Sequence, residues 1–322
     1  MKAIVYRKFG SPDVLRCEEI EKPVPGDKEV LIRVHAAGLN PLDWKLMNAE
    51  PRFLRLLMGL QKVKRPGVDV AGVVEAVGKT VTAFKPGDAV FGACRGALAE
   101  YACARSTALA LKPESVTWEQ AAAVPVAAWT AQQGLRNKAQ VQRGEKVLIN
   151  GASGGVGTFA VQIAKHMGAE VTGVCSAANV DLVRRLGADR VIDYTREDFT
   201  RGEEKYDAIL DCIGNHAPGE VRRVLEPRGR CVLIGAAKDA GLISILGGVL
   251  GLLIMAPFRR QKIVTMLAKR SAEDLRQLAR LMESGKVRPA IDRCYGLSET
   301  ADALRYLKEG HVRGKVIVTV TK

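Results

Sequence analysis

The chain has little of what would tie it to nucleic acid, a disulfide-stapled framework or an export route. Aromatic residues make up only 5% of its 322 positions. Its basic residues are spread along the chain without a finger, stacking strand or recognition helix, so nucleic acid is not expected as a partner. Seven cysteines are an odd number and include no Cys-x-x-Cys pair, which argues against both a disulfide framework and a structural zinc knuckle. A reducing, cytoplasmic setting fits that usage. The opening MKAIVYRKFG alternates like a strand and has no long apolar run behind a basic start, so no signal peptide is expected. What is present is a globular composition, 47% apolar and 26% charged, at a length that leans toward two domains. The net charge of +14 raises the local concentration of phosphate-bearing ligands.

Up to about Ala110 the pattern is one of short apolar or alternating runs cut by Gly and Pro turns: MKAIVY, EVLIRVHAAG, PGVDVAGVVEAVG, DAVFGAC and LAEYACA. This is a mainly β unit. Two of its turns, Pro25-Gly26-Asp27-Lys28 and Lys85-Pro86-Gly87-Asp88, offer Pro to preset φ and Gly to take a left-handed position. The Ala-rich EQAAAVPVAAWTAQQGLRN then reads as helix broken near Pro125. Beyond it, strands alternate with single helices: KVLIN, TFAVQIAKHMG, AEVTGVC, VDLVRRLG, RVIDY, YDAILDCIG, GEVRRVLEP and GRCVLIG. That alternation means an α/β, doubly wound parallel sheet with helices on both faces, over about 120–262. SAEDLRQLARLMESG is amphipathic, and the terminal KVIVTV is apolar enough to need a sheet; the first domain is the expected host.

Lys146 to Ala160 runs strand, turn, helix. In the turn, Gly154 lets backbone approach a pyrophosphate and Gly157 lets the helix pack close to the strand. The helix N-terminus at Gly155 and Val156 supplies N–H groups for the negative charge, and Ser153 stands beside them. The pattern is A-x-G-x-x-G, with Ala152 in the first glycine place, and the flanking strands arrive at the spacing a dinucleotide site requires. After AEVTGVC the chain reads Cys175-Ser176-Ala177-Ala178-Asn179, with no carboxylate where NAD-preferring sites commonly place one for the ribose hydroxyls. NADPH is therefore favoured, with NADH possible. Ser176 and Asn179 can donate hydrogen bonds there; alternatively, Asn179 only caps the VDLVRRLG helix.

Asn40-Pro41-Leu42-Asp43-Trp44-Lys45, Gly67-Val68-Asp69-Val70-Ala71-Gly72, Pro125-Val126-Ala127-Ala128-Trp129-Thr130-Ala131 and the turn from Ala152 to Gly157 follow one another in order. Together they make the whole chain resemble the zinc-independent quinone oxidoreductase branch of the medium-chain dehydrogenase/reductase superfamily. The resemblance implies a GroES-like, mainly β catalytic domain (1–119), a Rossmann domain (120–262) and a C-terminal segment (263–322) that returns to the catalytic domain. It implies that Thr130 lies near the nicotinamide, Tyr194 near the adenosine phosphate, and Lys315 as a late basic residue able to approach the cofactor. Gly235, closing GRCVLIG, joins the candidate cofactor residues. Where zinc alcohol dehydrogenases carry a Cys after the second strand and a Gly-His-Glu stretch, this chain has His35-Ala36-Ala37-Gly38 and Gly67-Val68-Asp69, so no zinc is expected. Many NADPH-using relatives place Arg or Lys where this chain has Ala178, which leaves the phosphate clamp weaker or resting on Tyr194 and Lys315.

Without a metal to activate a hydroxyl, the expected substrate is a quinone or a C=C conjugated to a carbonyl (an enone or enal), reduced by hydride. An enoyl thioester is the closer alternative, and a non-catalytic NADPH-sensing or interaction protein the more distant one. Asn40 is the first candidate for a polar group beside the nicotinamide, with Asp43 and Lys45 as candidate proton donors. The same Asn-Pro-Leu-Asp can also be only a turn and a cap. A homodimer joined through GRCVLIG as a sheet edge is expected. The uncharged run at 240–258 is expected to be an apolar flap rather than an integral span. Weak peripheral membrane attachment through the basic residues after it and through LRLLMGLQKVKR is the competing expectation.

Overall fold

The computed structural model describes residues 1–48, 64–234 and 260–320. They fall into two compact units, Met1–Trp129 with Lys269–Lys322, and Thr130–Ala268. The run at 240–258, Gly235, and 54–63 of LRLLMGLQKVKR lie outside the described residues. Among those described, no helix is long and apolar enough to cross a membrane.

The first unit begins with the antiparallel pair β1 (Lys2–Val5) and β2 (Arg16–Glu19). Its spine is β3 (Glu29–Gly38), whose Val30, Ile32 and Val34 are fully buried. Helix α1 (Pro41–Asn48) follows β3 directly. Then come β4 (Asp69–Val77), β5 (Ala89–Ala93), β6 (Tyr101–Arg105) and β7 (Leu109–Leu111). β3 pairs antiparallel with both β4 and β6. The two Gly turns differ. Gly87 takes φ +92 and Asp88 accepts the Lys85 N–H at 2.9 Å. Gly26 is not left-handed, and its N–H is held by the Glu29 carboxylate at 3.1 Å. The Ala-rich helix is in two parts, α2 (Trp118–Ala122), started by a Thr117–Gln120 capping box, and α3 (Pro125–Gln133). Proline at the first position of α3 lacks the N–H that a continuous helix would need.

The second unit holds β8 (Lys146–Asn150), α4 (Gly155–His166), β9 (Glu170–Cys175), α5 (Val180–Arg185), β10 (Arg190–Asp193), β11 (Tyr206–Asp211), α6 (Pro218–Arg223), β12 (Leu225–Leu233) and β13 (Lys262–Thr265). All strands are parallel, in the order β10-β9-β8-β11-β12-β13. The order reverses between β8 and β11, the place where such sheets bind ligands at their carboxyl ends. GRCVLIG, read from the sequence as an edge, is interior: β13 pairs alongside β12, from Arg230↔Lys262 to Leu233↔Thr265, and is with β10 one of the two terminal strands among the described residues.

The chain then returns to the first unit through α7 (Ala272–Glu283), β14 (Ile291–Gly296), α8 (Thr300–Glu309) and β15 (Lys315–Thr319). β15 lies antiparallel to β3, with Ile317 opposite Gly38, and Gly38 is also opposite Asp69 of β4. The apolar C-terminal strand therefore finds its sheet in the first unit. It also carries Lys315 to the end of β3, where Asn40 begins the next loop.

Candidate active site

In the second unit the glycine turn is built from the backbone outward. Gly151 and Ala152 both donate N–H to Val174 O, at 3.1 and 2.9 Å, which swings the chain off β8. Gly154 is the N-cap of α4 and no side chain caps that helix, so its first N–H groups are left to other acceptors. A Cβ on Gly157 would stand 2.1 Å from Gly151 O and 2.7 Å from Ala152 Cα, so the fold itself demands glycine there. A Cβ on Gly154 would meet only Gly151 O, at 3.4 Å, which is ordinary contact. Nothing among the described residues needs a bare residue at 154, and a close-lying pyrophosphate would. The turn fits a dinucleotide.

Beside it, Asn179 Nδ2 donates to Ser153 Oγ and Ser176 Oγ, both at 3.2 Å, so three residues from the turn and the end of β9 come together. The Asn179 side chain does not cap α5; the two serines take its amide instead. Tyr194 follows β10, 61% exposed, with its N–H on Cys175 O at 3.0 Å. The sequence reading missed Asp193. Parallel pairing sets it opposite Cys175, and its carboxylate accepts the N–H and hydroxyl of Thr195 (3.0 and 2.8 Å) and the N–H of Ala177. The Thr195 N–H bond leads the interactions that hold this carboxyl below its usual range. So a charge does stand beside the Ser176–Asn179 turn, supplied by the neighbouring strand; Arg196 Nε lies 3.8 Å from it. At the strand-order reversal, Asn150 Nδ2 bridges Asp211 Oδ1 (2.9 Å) and Asn215 Oδ1 (3.0 Å), and Asp211 Oδ1 also takes the Ile213 and Gly214 N–H groups. This ties the ends of β8 and β11 together just before Gly151.

The first unit holds a different kind of site, a buried polar cluster at the end of β3. Asn40 is 5% exposed, Asp43 4%, Lys315 3% and Asp69 fully buried. Asn40 N–H donates to Asp43 Oδ2 at 2.8 Å and Asp43 N–H to Asn40 O at 3.0 Å, a reciprocal closure at the start of α1. Burial pushes the Asp43 carboxyl up to about 7, against the Asn40 and Gly67 N–H groups that favour its charged form; Asp69 raises it further and Lys315 lowers it. Asp69 Oδ2 accepts from Asn40 Nδ2 at 2.9 Å and from Lys315 Nζ at 3.2 Å, while Oδ1 accepts Val126 N–H at 3.0 Å, at the start of α3. Lys315 Nζ also donates to Leu39 O at 2.9 Å and Asn40 Oδ1 at 2.8 Å. Lys45 is not in this cluster; it is exposed, its ammonium 5.9 Å from the Trp44 ring centroid. Thr130 is buried on α3, 7% exposed. From the sequence, Gly67-Val68-Asp69 served the family resemblance and the expected absence of zinc, and Asp69 was given no role of its own. The signal available was an acid in that motif, which in a buried strand needs a counter-charge. Among the described residues no group of three or more His, Cys, Asp or Glu is arranged to hold a metal ion.

A mainly β unit completed by the chain's last strand, and a parallel six-stranded unit inserted within it around a glycine turn, define the two-unit, alcohol-dehydrogenase-like class of oxidoreductases. Sequence comparison agrees. The alcohol dehydrogenase GroES-like domain model matches residues 26–114 and the zinc-binding dehydrogenase model residues 186–318. The chain is 36% identical to the NADPH-dependent alkenal/one oxidoreductase, chloroplastic, of Arabidopsis thaliana and 35% identical to the 2-methylene-furan-3-one reductase of Solanum lycopersicum. In each case the match covers 99% of this chain and 79% of the relative. Among solved structures, the quinone oxidoreductase from Coxiella burnetii superimposes with a TM-score of 0.88 at 32% identity, covering 100% of this chain and 99% of that one. The chain belongs to the medium-chain dehydrogenase/reductase superfamily, in its quinone oxidoreductase branch.

Proposed function

We propose that the chain is an NADPH-dependent, zinc-independent oxidoreductase that reduces quinones or the C=C bond of enones and enals. The observation that carries the cofactor half is the α4 N-terminus without a side-chain cap, beside a Gly154 that nothing among the described residues requires to be glycine. The relatives named above support the substrate half. Bound nicotinamide supplies a hydride, and a conjugated acceptor takes up the electrons through its own carbonyl.

The residues divide the work. The N–H groups at Gly155, Val156 and Gly157 hold the pyrophosphate. Ser153, Ser176, Asn179 and the exposed Tyr194 hold the adenosine ribose end. The absence of an acid within Cys175-Ser176-Ala177-Ala178-Asn179 supports NADPH over NADH, and Asp193, engaged by Thr195 and Ala177 and faced by Arg196, limits that preference. Asn40 has one Nδ2 hydrogen engaged by Asp69 and a second without a partner among the described residues. That second N–H is the donor we assign to the nicotinamide end or to the developing oxyanion. Asp43 closes the Asn40 turn and, with its carboxyl at about 7, can carry a proton near neutral pH. Zinc independence is supported by Asp69, whose oxygens are taken by an ammonium, an amide and a backbone N–H. A homodimer is supported by β13, an edge strand among the described residues, followed by Leu267, 89% exposed.

The test is NADPH oxidation with 9,10-phenanthrenequinone, 1,4-benzoquinone and a panel of small enones, in buffer with and without a chelator. Turnover on at least one acceptor, unaffected by chelation and with a lower Kd for NADPH than for NADH, is expected. Tight NADPH binding with no turnover on any acceptor would replace the enzyme by a sensor of the same fold.

A further inference from the structure

The structure gives Lys315 a task different from reaching a cofactor. An ammonium has three N–H donors and no acceptor. At Lys315 all three are matched, to Leu39 O, Asn40 Oδ1 and Asp69 Oδ2, and the residue is 3% exposed. Nothing is left to offer a phosphate unless an internal bond is broken.

We infer that Lys315 is a positioning residue: with Asp69 it locks the Asn40 amide in a single orientation. The inference rests on the reading that Asn40 acts at the nicotinamide end. The chemistry of the two partners decides the orientation. Lys315 can only donate, so it must face Oδ1, and an ionised Asp69 can only accept, so it must face Nδ2. A flipped amide would set NH₂ against the ammonium and C=O against the carboxylate, replacing two attractions by two repulsions. An amide between two hydroxyls has no such constraint.

The supports are themselves fixed. Asp69 opens β4 opposite Gly38, and its second oxygen is held by Val126 N–H at the start of α3. Lys315 opens β15, whose Ile317 is opposite the same Gly38. Leu39 N–H donates to Val316 O at 2.9 Å, so the loop carrying Asn40 is stitched to the strand carrying Lys315. Three strand ends hold one amide, whose remaining N–H then has one direction in which to point. Pre-orientation of this kind lowers a barrier without strengthening ground-state binding.

Lys315→Met alone would strand the buried Asp69 carboxylate, so the test uses the charge-free pair Asp69→Asn/Lys315→Met in wild-type and Asn40→Ala backgrounds. Near-UV circular dichroism checks the fold. Expected are a fall of about tenfold or more in kcat for quinone reduction, an NADPH Kd within about twofold of wild type, and less than about twofold further loss when the pair is combined with Asn40→Ala. Lys315→Arg is the second variant. It keeps Asp69 paired but cannot aim a planar fork at the same three acceptors, so kcat falls while Kd holds. A direct phosphate contact predicts the opposite: Kd weakened by the Met pair, with a smaller salt dependence, and Kd and kcat both retained by Arg. That result, or effects that multiply in the Asn40→Ala background, overturns the inference. An unchanged kcat for Asn40→Ala alone overturns the role of Asn40 itself, a separate failure that the single variant reveals.

Discussion

The two candidate sites solve opposite problems. Around the glycine turn the protein withholds: residues Ser153 to Val156 are half-buried, Gly154 has no side chain where one would fit, the α4 N-terminus has no side-chain cap and Tyr194 stands in solvent. At the end of β3 it commits: Asp69 is fully buried, Lys315 has all three donors engaged, and Asn40 and Asp43 close on each other. On the proposed function, the first surface would release its ligand every cycle, and backbone N–H groups and small residues suit that task. A group that must point one way is held by buried charges, whose mutual attraction grows as water is excluded.

The largest effect that would test the contrast is on stability. Lys315→Met leaves an unpaired buried carboxylate and should cost about 3–5 kcal/mol, read from denaturant unfolding. A loss under about 1 kcal/mol would mean that the cluster is not the rigid partner in the comparison.

Next comes pH. The unfolded chain releases the Asp43 proton near its ordinary 3.8, whereas the folded chain keeps it to about 7. Folded protein thus binds more protons across that window, so this group's contribution to stability declines as pH rises from about 4 towards 7, by at most ~4 kcal/mol. Asp43→Asn should remove that decline; unfolding curves for the variant and wild type that stay parallel from pH 4 to 7 would contradict it.

The two glycines should separate binding from folding within one turn. Gly157→Ala drives a methyl into Gly151 O and should destabilise by about 1–3 kcal/mol. Gly154→Ala should leave stability within about 0.5 kcal/mol while weakening NADPH binding about tenfold or more. Equal NADPH Kd values for Gly154→Ala and wild type would take the pyrophosphate away from this turn. The smallest effect is expected at Asn179→Ala, about 1 kcal/mol in NADPH affinity through loss of the link between Ser153 and Ser176. A change only in Tm would make Asn179 purely structural.

Legibility in the sequence followed contiguity. The glycine turn, the break before Pro125 and the alternation of strands and helices were readable because each is encoded within a few neighbouring residues, where local sterics and periodicity act. Two similar-looking Pro-Gly turns were not distinguishable, although Gly87 takes a left-handed φ of +92 and Gly26 does not, because the difference comes with how each turn is hydrogen-bonded to its surroundings. Asn179 was readable as a polar candidate, but its bond to Ser153 was not, because Ser153 arrives from another strand end. GRCVLIG looked like an edge because β13, its neighbour, follows after a long intervening run.

The sequence by itself determined the two-unit plan, the strand–glycine turn–helix and Asn40 as a candidate, all local properties of composition, period and spacing. Only the tertiary structure decided what Asp69, Lys315 and Asp193 do. None of the three shows its partners in its neighbouring sequence alone, and a charge acquires its role from the groups that replace its water: Lys315 from Leu39, Asn40 and Asp69, and Asp193 from Ala177 as well as its neighbour Thr195. The distant partners, Ala177, Leu39, Asn40 and Asp69, are brought in by strand register, which no single segment encodes.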